Sequence, residues 1–197
     1  MTNLPVTGSF SITAVYGQSG SYWKNGHKGI DFVSANKNIY STCDGTVRVV
    51  AYDEGGWGNY VSVGDSEGRR HIFCHLSSVR VKVGDTVTRT SVLGIMGDTG
   101  NVTGVHLHYQ INDKNNLPVD PSGYLGIPNK KGNYNSEDFT VMNFKDQNEI
   151  SEWALASVKK VSDLGIMVGD ANGNFRPKDN ITRQEIAVVI AKLLDKE

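Results

Sequence analysis

Cysteine is scarce in this chain: Cys43 and Cys74 are the only two among 197 residues. Two are too few for a disulfide scaffold, and neither sits in a CxxC zinc pattern. Each lies in an apolar, strand-like run, which reads as a buried free thiol, and sequence alone leaves a single bridge between them open. No stretch of about 18 apolar residues occurs, so no membrane-spanning helix and no membrane insertion are expected. The opening MTNLPVTGSF has no basic start followed by an apolar run, so it is not a secretory signal. Charge of one sign is lacking too. The formal net charge is -1, which argues against a nucleic-acid partner held by a broad basic surface.

What is present is a change of character along the chain. Residues 1–127 are rich in glycine and in short β-branched runs such as GTVRVVAYD (45–53), NYVSVGD (59–65), RHIFCHLSSVRV (70–81) and GVHLHYQIN (104–112), punctuated by turn residues. That pattern predicts a mostly β domain without a long amphipathic helix. Residues 128–142, PNKKGNYNSEDFTVM, are polar and aperiodic and read as a linker. Residues 143–197 read as a small α-helical domain. Trp153, Val158, Val161, Leu164 and Ile166 recur at roughly helical spacing after Ser151 as N-cap, and Gly165 ends that helix. Thr182 and Glu185 form a capping box for a second helix, whose apolar face is Ile186, Val189, Ile190, Leu193 and Leu194. Charge shifts at the same boundary: residues 1–131 carry 12 Lys+Arg against 10 Asp+Glu, and residues 132–197 carry 8 against 11.

The five histidines carry the chemistry. His106 and His108 are two apart in a strand-like segment, so both lie on one face, with Val105, Leu107, Tyr109 and Ile111 on the other. In HKGID, His27 and Asp31 are an even number of residues apart, so an extended chain points both the same way, and Gly29 allows a bend. Two imidazoles and one carboxylate suit zinc and leave a fourth tetrahedral position for water. In HIFCHL, alternation puts His71, Phe73 and His75 on one face and Ile72, Cys74 and Leu76 on the other. A third strand can therefore offer His75 to the same cleft, while His71 reads as a satisfied polar residue.

The order HKGIDF, then FCHLSSVRVKVGDTV, then LGIMGDTGNVTGVHLHYQI, with DGTV and GNYVSVGD between the first two, resembles the lysostaphin-like metallopeptidases, which cleave peptidoglycan cross-links and stems. The resemblance implies a mostly antiparallel β-sheet domain with a zinc cleft open along a sheet face. It implies one zinc ion per chain, held by His27, Asp31 and His108, and it is the resemblance that selects His108 over His106 as the ligand. It assigns His75 and His106 as the catalytic pair. The chemistry agrees: with no HExxH there is no glutamate base, so a histidine must take the proton. The loops GQSGSYWKNG (17–26) and GDTGNVTG (97–104) correspond to groove walls in such sites, which marks Tyr22, Trp23, Thr99 and Asn101 as substrate contacts.

NFKDQNEISEWALASVKKVSDLGIMVGDANGNFRPKDNITRQEIAVVIAKLL resembles one S-layer homology repeat, through Trp153, the LGIMVGDANGNFRP loop and the ITRQE segment. The resemblance implies binding to acidic cell-wall polysaccharide, with Arg183 on the anionic sugar group. That family typically works with three repeats, and one is present here; the sequence does not fix the oligomeric state. Asp170, Asn172 and Asn174 suggest a calcium loop, but the twelfth position is Ile181 rather than glutamate, which rejects it. The expectation is a zinc-dependent endopeptidase acting on peptidoglycan peptides at the bacterial cell wall, made in the cytosol and released at lysis as a phage or prophage endolysin. The alternatives are a secreted autolysin whose signal is missing from this sequence, and a catalytically inactive wall-binding or activator relative. All five site positions are filled, which favours the enzyme.

Overall fold

The computed structural model describes residues 4–21, 23–139 and 144–194. The chain divides into two compact units, Met1–Phe139 and Thr140–Glu197. The first is built from β1 (Ser9–Ala14), β2 (Ile30–Ser34), β3 (Asn38–Tyr40), β4 (Gly45–Asp53), β5 (Gly58–Gly64), β6 (Arg70–Val79), β7 (Thr86–Val87), β8 (Val92–Met96), β9 (Leu107–Asn112), β10 (Pro118–Val119), the short helix α1 (Pro121–Leu125) and β11 (Gly132–Asn135). The main path of the sheet runs β11-β1-β2-β9-β6-β5-β4-β7, with β10 on β9, β8 on β6 and β3 on β8. Every pairing is antiparallel. This matches the mostly β domain that the glycine-punctuated, β-branched runs predict and the antiparallel sheet that the resemblance implies.

β9 lies between β2 and β6 and is buried on both faces. Leu107, Tyr109 and Ile111 face a core that includes Phe32, Phe73, Ile30 and Val63. Each such large apolar side chain contributes about 1.5–3 kcal/mol on burial. The other face of β9 carries His108, Gln110 and Asn112. Across the strand pairs, Asp31 of β2 and Cys74 of β6 lie directly opposite His108. Directly opposed residues project to the same side, so the register delivers Asp31 to His108. Cys43 and Cys74 are both buried and free, and burial pushes the Cys43 thiol up to about 12, which keeps it unreactive.

Gly132–Asn135, inside the stretch read as a linker, pairs with β1 as β11, and Tyr134 packs against Phe10 with ring centroids 5.8 Å apart. A four-residue strand with one apolar side chain has no periodicity to detect. His71 is fully buried: its Nε2 lies 3.2 Å from Asp65 Oδ2 and its Nδ1 lies 2.8 Å from the Tyr109 hydroxyl. Burial drives its pKa down to about 4 against the pull of Asp65, so the ring stays neutral inside the sheet.

The second unit holds α2 (Leu155–Asp163), preceded by a 3₁₀ turn over Glu152–Ala154, and α3 (Arg183–Leu194). The predicted capping box forms. Glu185 N donates to Thr182 Oγ1 at 3.2 Å, and Glu185 Oε2 accepts from Thr182 N at 2.8 Å. Gly165 follows α2 with φ of 67°, in the left-handed region that glycine tolerates. Asp170 Oδ1 accepts from the amides of Asn172 and Asn174, so this loop is closed by its own carboxylate. Among the described residues its core holds Phe144, Ile150 and Val158, with Ala154 and Phe175 against them, and Ile166 is buried as well. α3 has no buried residue, and Trp153 is 86 % exposed. Of the apolar face predicted for α3, Ile186, Ile190, Leu193 and Leu194 are exposed, and Val189 is half-buried in a groove that it lines with Ile166 and Phe175. Among the described residues no helix is long and apolar enough to cross a membrane.

Candidate active site

Three donor atoms converge on one side of β9. His27 Nε2 lies 2.9 Å from His108 Nδ1 and 3.1 Å from Asp31 Oδ1, and His108 Nδ1 lies 2.9 Å from Asp31 Oδ1. His27, Asp31 and His108 are the group among the described residues whose donor atoms could together hold a metal ion. Donors on a tetrahedral zinc ion with bonds near 2.0 Å stand about 3.3 Å from one another. The observed triangle is only slightly tighter, so the residues fit such an ion. His27 Nδ1 donates to the Val15 carbonyl at 3.1 Å, which leaves Nε2 as the nitrogen with the lone pair. Burial pushes the Asp31 carboxyl upward, but the adjoining His108 and His27 rings outweigh it and hold the group well below the usual carboxylate range.

Local sequence explains the placement. The His27 amide donates to the Gln18 carbonyl and the His27 carbonyl accepts from Gly17, so the loop before β2 is pinned to the turn after β1. Gly29 is needed for close approach: a Cβ there would stand 2.2 Å from the Tyr109 carbonyl and 2.8 Å from the His108 ring. The bend that glycine allows is thus a contact with β9.

His75 and His106 lie beside this triangle, with ring centroids 4.8 Å apart. The strand reading of HIFCHL needs correction here. Strict alternation would put His75 with His71 and Phe73, which both lie against Tyr109 on the core side. His75 instead has φ of 65°, left-handed and unusual for a non-glycine residue. That kink turns the ring toward His106 and His108. Its amide donates to the Trp57 carbonyl at 2.8 Å and its Nδ1 donates to the Thr99 carbonyl at 3.0 Å. His106 Nδ1 likewise donates to the Gly104 carbonyl at 2.8 Å. Each ring therefore carries its Nδ1 proton on a backbone oxygen and keeps Nε2 available. Burial lowers the His75 pKa to about 4, helped by the neighbouring His106 and His108. His106 Nε2 stands 3.8 Å from Asp31 Oδ2.

The group opens on a cleft of about 400 Å³. Trp23 and Asn101, predicted as substrate contacts, line it, as do Val102, Thr103 and Val105. The Trp23 ring lies 4.6 Å from the His27 ring. Thr99 is turned inward: its hydroxyl accepts from Asn59 N at 3.0 Å and donates to the Leu76 carbonyl at 2.9 Å. Tyr22 lies outside the described residues. Arg183 is exposed at the first position of α3. Gln110, which touches His108, was missed by the sequence reading, although its place two residues beyond His108 on one strand is a usable signal.

Residues 25–121 match peptidase family M23, and residues 143–187 match the S-layer homology domain. The chain is 42% identical over 85 residues to an uncharacterized metalloprotease of Haemophilus influenzae, which covers 43% of this chain and 18% of that protein. It is 37% identical over 86 residues to the peptidoglycan DD-endopeptidase ShyA of Vibrio cholerae, covering 43% of this chain and 20% of that protein. The chain thus spans about a fifth of the length of these two relatives. The catalytic domain of the antimicrobial peptidase lysostaphin from Staphylococcus simulans superposes with a TM-score of 0.53 at 30% identity, covering 56% of this chain and 88% of that one.

Proposed function

Because the chain carries a lysostaphin-like peptidase family M23 domain over residues 25–121 and an S-layer homology domain over residues 143–187, we propose that it is a zinc-dependent endopeptidase that hydrolyses peptide bonds in the stems or cross-links of bacterial peptidoglycan. One observation carries this reading: three donor atoms separated by 2.9, 3.1 and 2.9 Å, with two further imidazoles presenting Nε2 beside them. His27, Asp31 and His108 would hold the ion. When bound, zinc supplies Lewis-acid polarisation of a carbonyl and acidification of water.

The chain's own residues do the rest. Thr99 and Gly104 carbonyls fix the Nδ1 protons of His75 and His106, so both rings offer Nε2 to accept a proton from the attacking water and return it to the leaving amine. A protonated ring of this pair also stabilises negative charge on the scissile carbonyl oxygen. Trp23 and Asn101 wall the cleft in which an extended peptide would lie, and Thr99 secures that wall from within.

The S-layer homology domain supports a second role, attachment to anionic cell-wall polysaccharide. Arg183 is the residue we assign to it, since a guanidinium matches a carboxylate with paired donors. The proposed site of action is the bacterial cell wall.

Purified cell walls incubated with the zinc-loaded chain should release new amino groups, and a chelator should stop the release. Mass spectrometry of the fragments names the bond. Metal-loaded protein that releases nothing from any wall type would overturn the peptidase reading in favour of a wall-binding relative.

A further inference from the structure

The face of β9 that carries His108 continues as an unbroken chain of side-chain amides, and its hydrogen-bond polarity can be worked out from its far end. Arg70 is the first fixed point: a guanidinium only donates, and its Nη1 lies 3.0 Å from Asn116 Oδ1. The Asn116 backbone carbonyl is the second, because it only accepts. It takes a hydrogen bond from Asn112 Nδ2 at 3.3 Å, and Asn116 Oδ1 takes another from the same nitrogen at 3.0 Å. Asn112 must therefore turn its oxygen the other way, toward Gln110, whose Nε2 donates to it at 2.6 Å. With the nitrogen end of its amide turned to Asn112, Gln110 faces His108 with the other end, Oε1. His108 Nε2, 3.4 Å from that oxygen, must then be the nitrogen that carries the proton. The lone pair is left on Nδ1, the atom that lies 2.9 Å from both His27 Nε2 and Asp31 Oδ1.

We infer that Gln110 is a positioning residue that, locked by Asn112, Asn116 and Arg70, fixes the Nε2–H tautomer of His108 and so presents Nδ1 as a metal donor. The inference rests on the metal-site reading above and deepens it. His27 reaches the same end differently, through a backbone carbonyl, so His108 is the ligand whose ring proton is held directly by a side chain. Gln110 and Asn112 are buried, so their amides are shielded from solvent as a surface amide would not be, while Asn116 anchors the chain at the surface. Swapping the acceptor end of Gln110 would therefore be felt at the metal rather than absorbed by water.

The test uses the full chain as wild type, Gln110→Leu, Gln110→Glu and Asn112→Leu. Zinc affinity is measured by competition with a chromophoric chelator, and the His108 tautomer is read from ring nitrogen shifts by NMR in the metal-free protein. Gln110→Leu should weaken zinc binding about 10–100-fold and give a mixture of His108 tautomers. Gln110→Glu keeps the acceptor toward His108 but loses the donor to Asn112 Oδ1, so it should bind zinc more tightly than Gln110→Leu and keep the Nε2–H tautomer. Asn112→Leu frees the Gln110 amide to rotate and should fall between the two. If Gln110→Leu binds zinc as tightly as wild type and His108 still carries its proton on Nε2, the inference is overturned. A wild-type chain that binds no zinc overturns the metal reading instead, while the tautomer measurement still decides whether Gln110 sets the ring.

Discussion

The carbonyl oxygen of Thr99 accepts a hydrogen bond from Nδ1 of His75 at 3.0 Å. The Thr99 side chain in turn ties its own loop to β5 and β6 through Asn59 N and the Leu76 carbonyl. Gly58, with φ of 60°, gives the room for this: a Cβ there would lie 2.3 Å from the Thr99 backbone. A residue predicted as a substrate contact thus holds a kinked histidine in place. Thr99→Val should lower kcat on the order of 100-fold with little change in KM, because a displacement of about 1 Å at a catalytic group has that effect. Thr99→Ser should stay near wild type. A rise in KM alone would return Thr99 to the substrate-binding role.

Under the proposed function, His106 and His108 should separate turnover from metal. His108→Ala should lose both zinc and activity. His106→Ala should keep zinc through dialysis and lose activity by about 10²–10⁴-fold, the usual contribution of a positioned acid or base. Elemental analysis beside a wall-release assay checks both, and the opposite pattern would exchange the two assignments.

Acid should weaken the fold before carboxylate titration ends. His71 has an ordinary pKa of 6.5 when unfolded and about 4 when folded. Above pH 6.5 neither state binds the proton. As pH falls from 6.5 toward 4, the unfolded chain takes it up first, so stability declines by roughly 3 kcal/mol across that window. Asp65, held below its ordinary value despite its burial by bonds from Arg69 and His71, continues the loss at lower pH. In metal-free protein His75, also neutral by burial, adds to it. Urea midpoints measured from pH 7 to 4 should fall, and His71→Asn should fall less steeply although it starts lower.

Gly29→Ala tests the close approach of the first ligand loop to β9. The atoms it meets are a backbone carbonyl and the His108 ring, and the carbonyl cannot swing aside. We expect a stability loss of about 1–3 kcal/mol or more, as for other overpacked sites, together with weaker zinc binding. Thermal unfolding and chelator competition measure the two effects.

Much of the site is legible in the sequence because two of its parts obey simple periodicity. His108 on β9 and Asp31 on β2 point as alternation predicts, and the antiparallel register sets them opposite each other, whereas His106 sits in an isolated bridge just before β9 and His27 in the loop before β2. His75 is legible only as a histidine in the right run. Its side is chosen by a positive φ, which no residue pattern announces. β11 escapes notice because Tyr134 alone marks it. The helices of the second unit are legible from Thr182 and Glu185, but the burial of α3 is not, since amphipathic spacing says which face is apolar and nothing about what covers it.

The donor triangle joins residues 81 and 77 positions apart in the chain, His27 with His108 and Asp31 with His108. Such a site exists only after β2 and β9 have found each other. An ion of this kind cannot nucleate the fold; it can only reward a sheet already assembled, shifting the balance toward the native state by mass action. If the proposed function holds, chains caught midway through folding would be unable to capture the ion, and any hydrolysis would wait until β2 and β9 are paired.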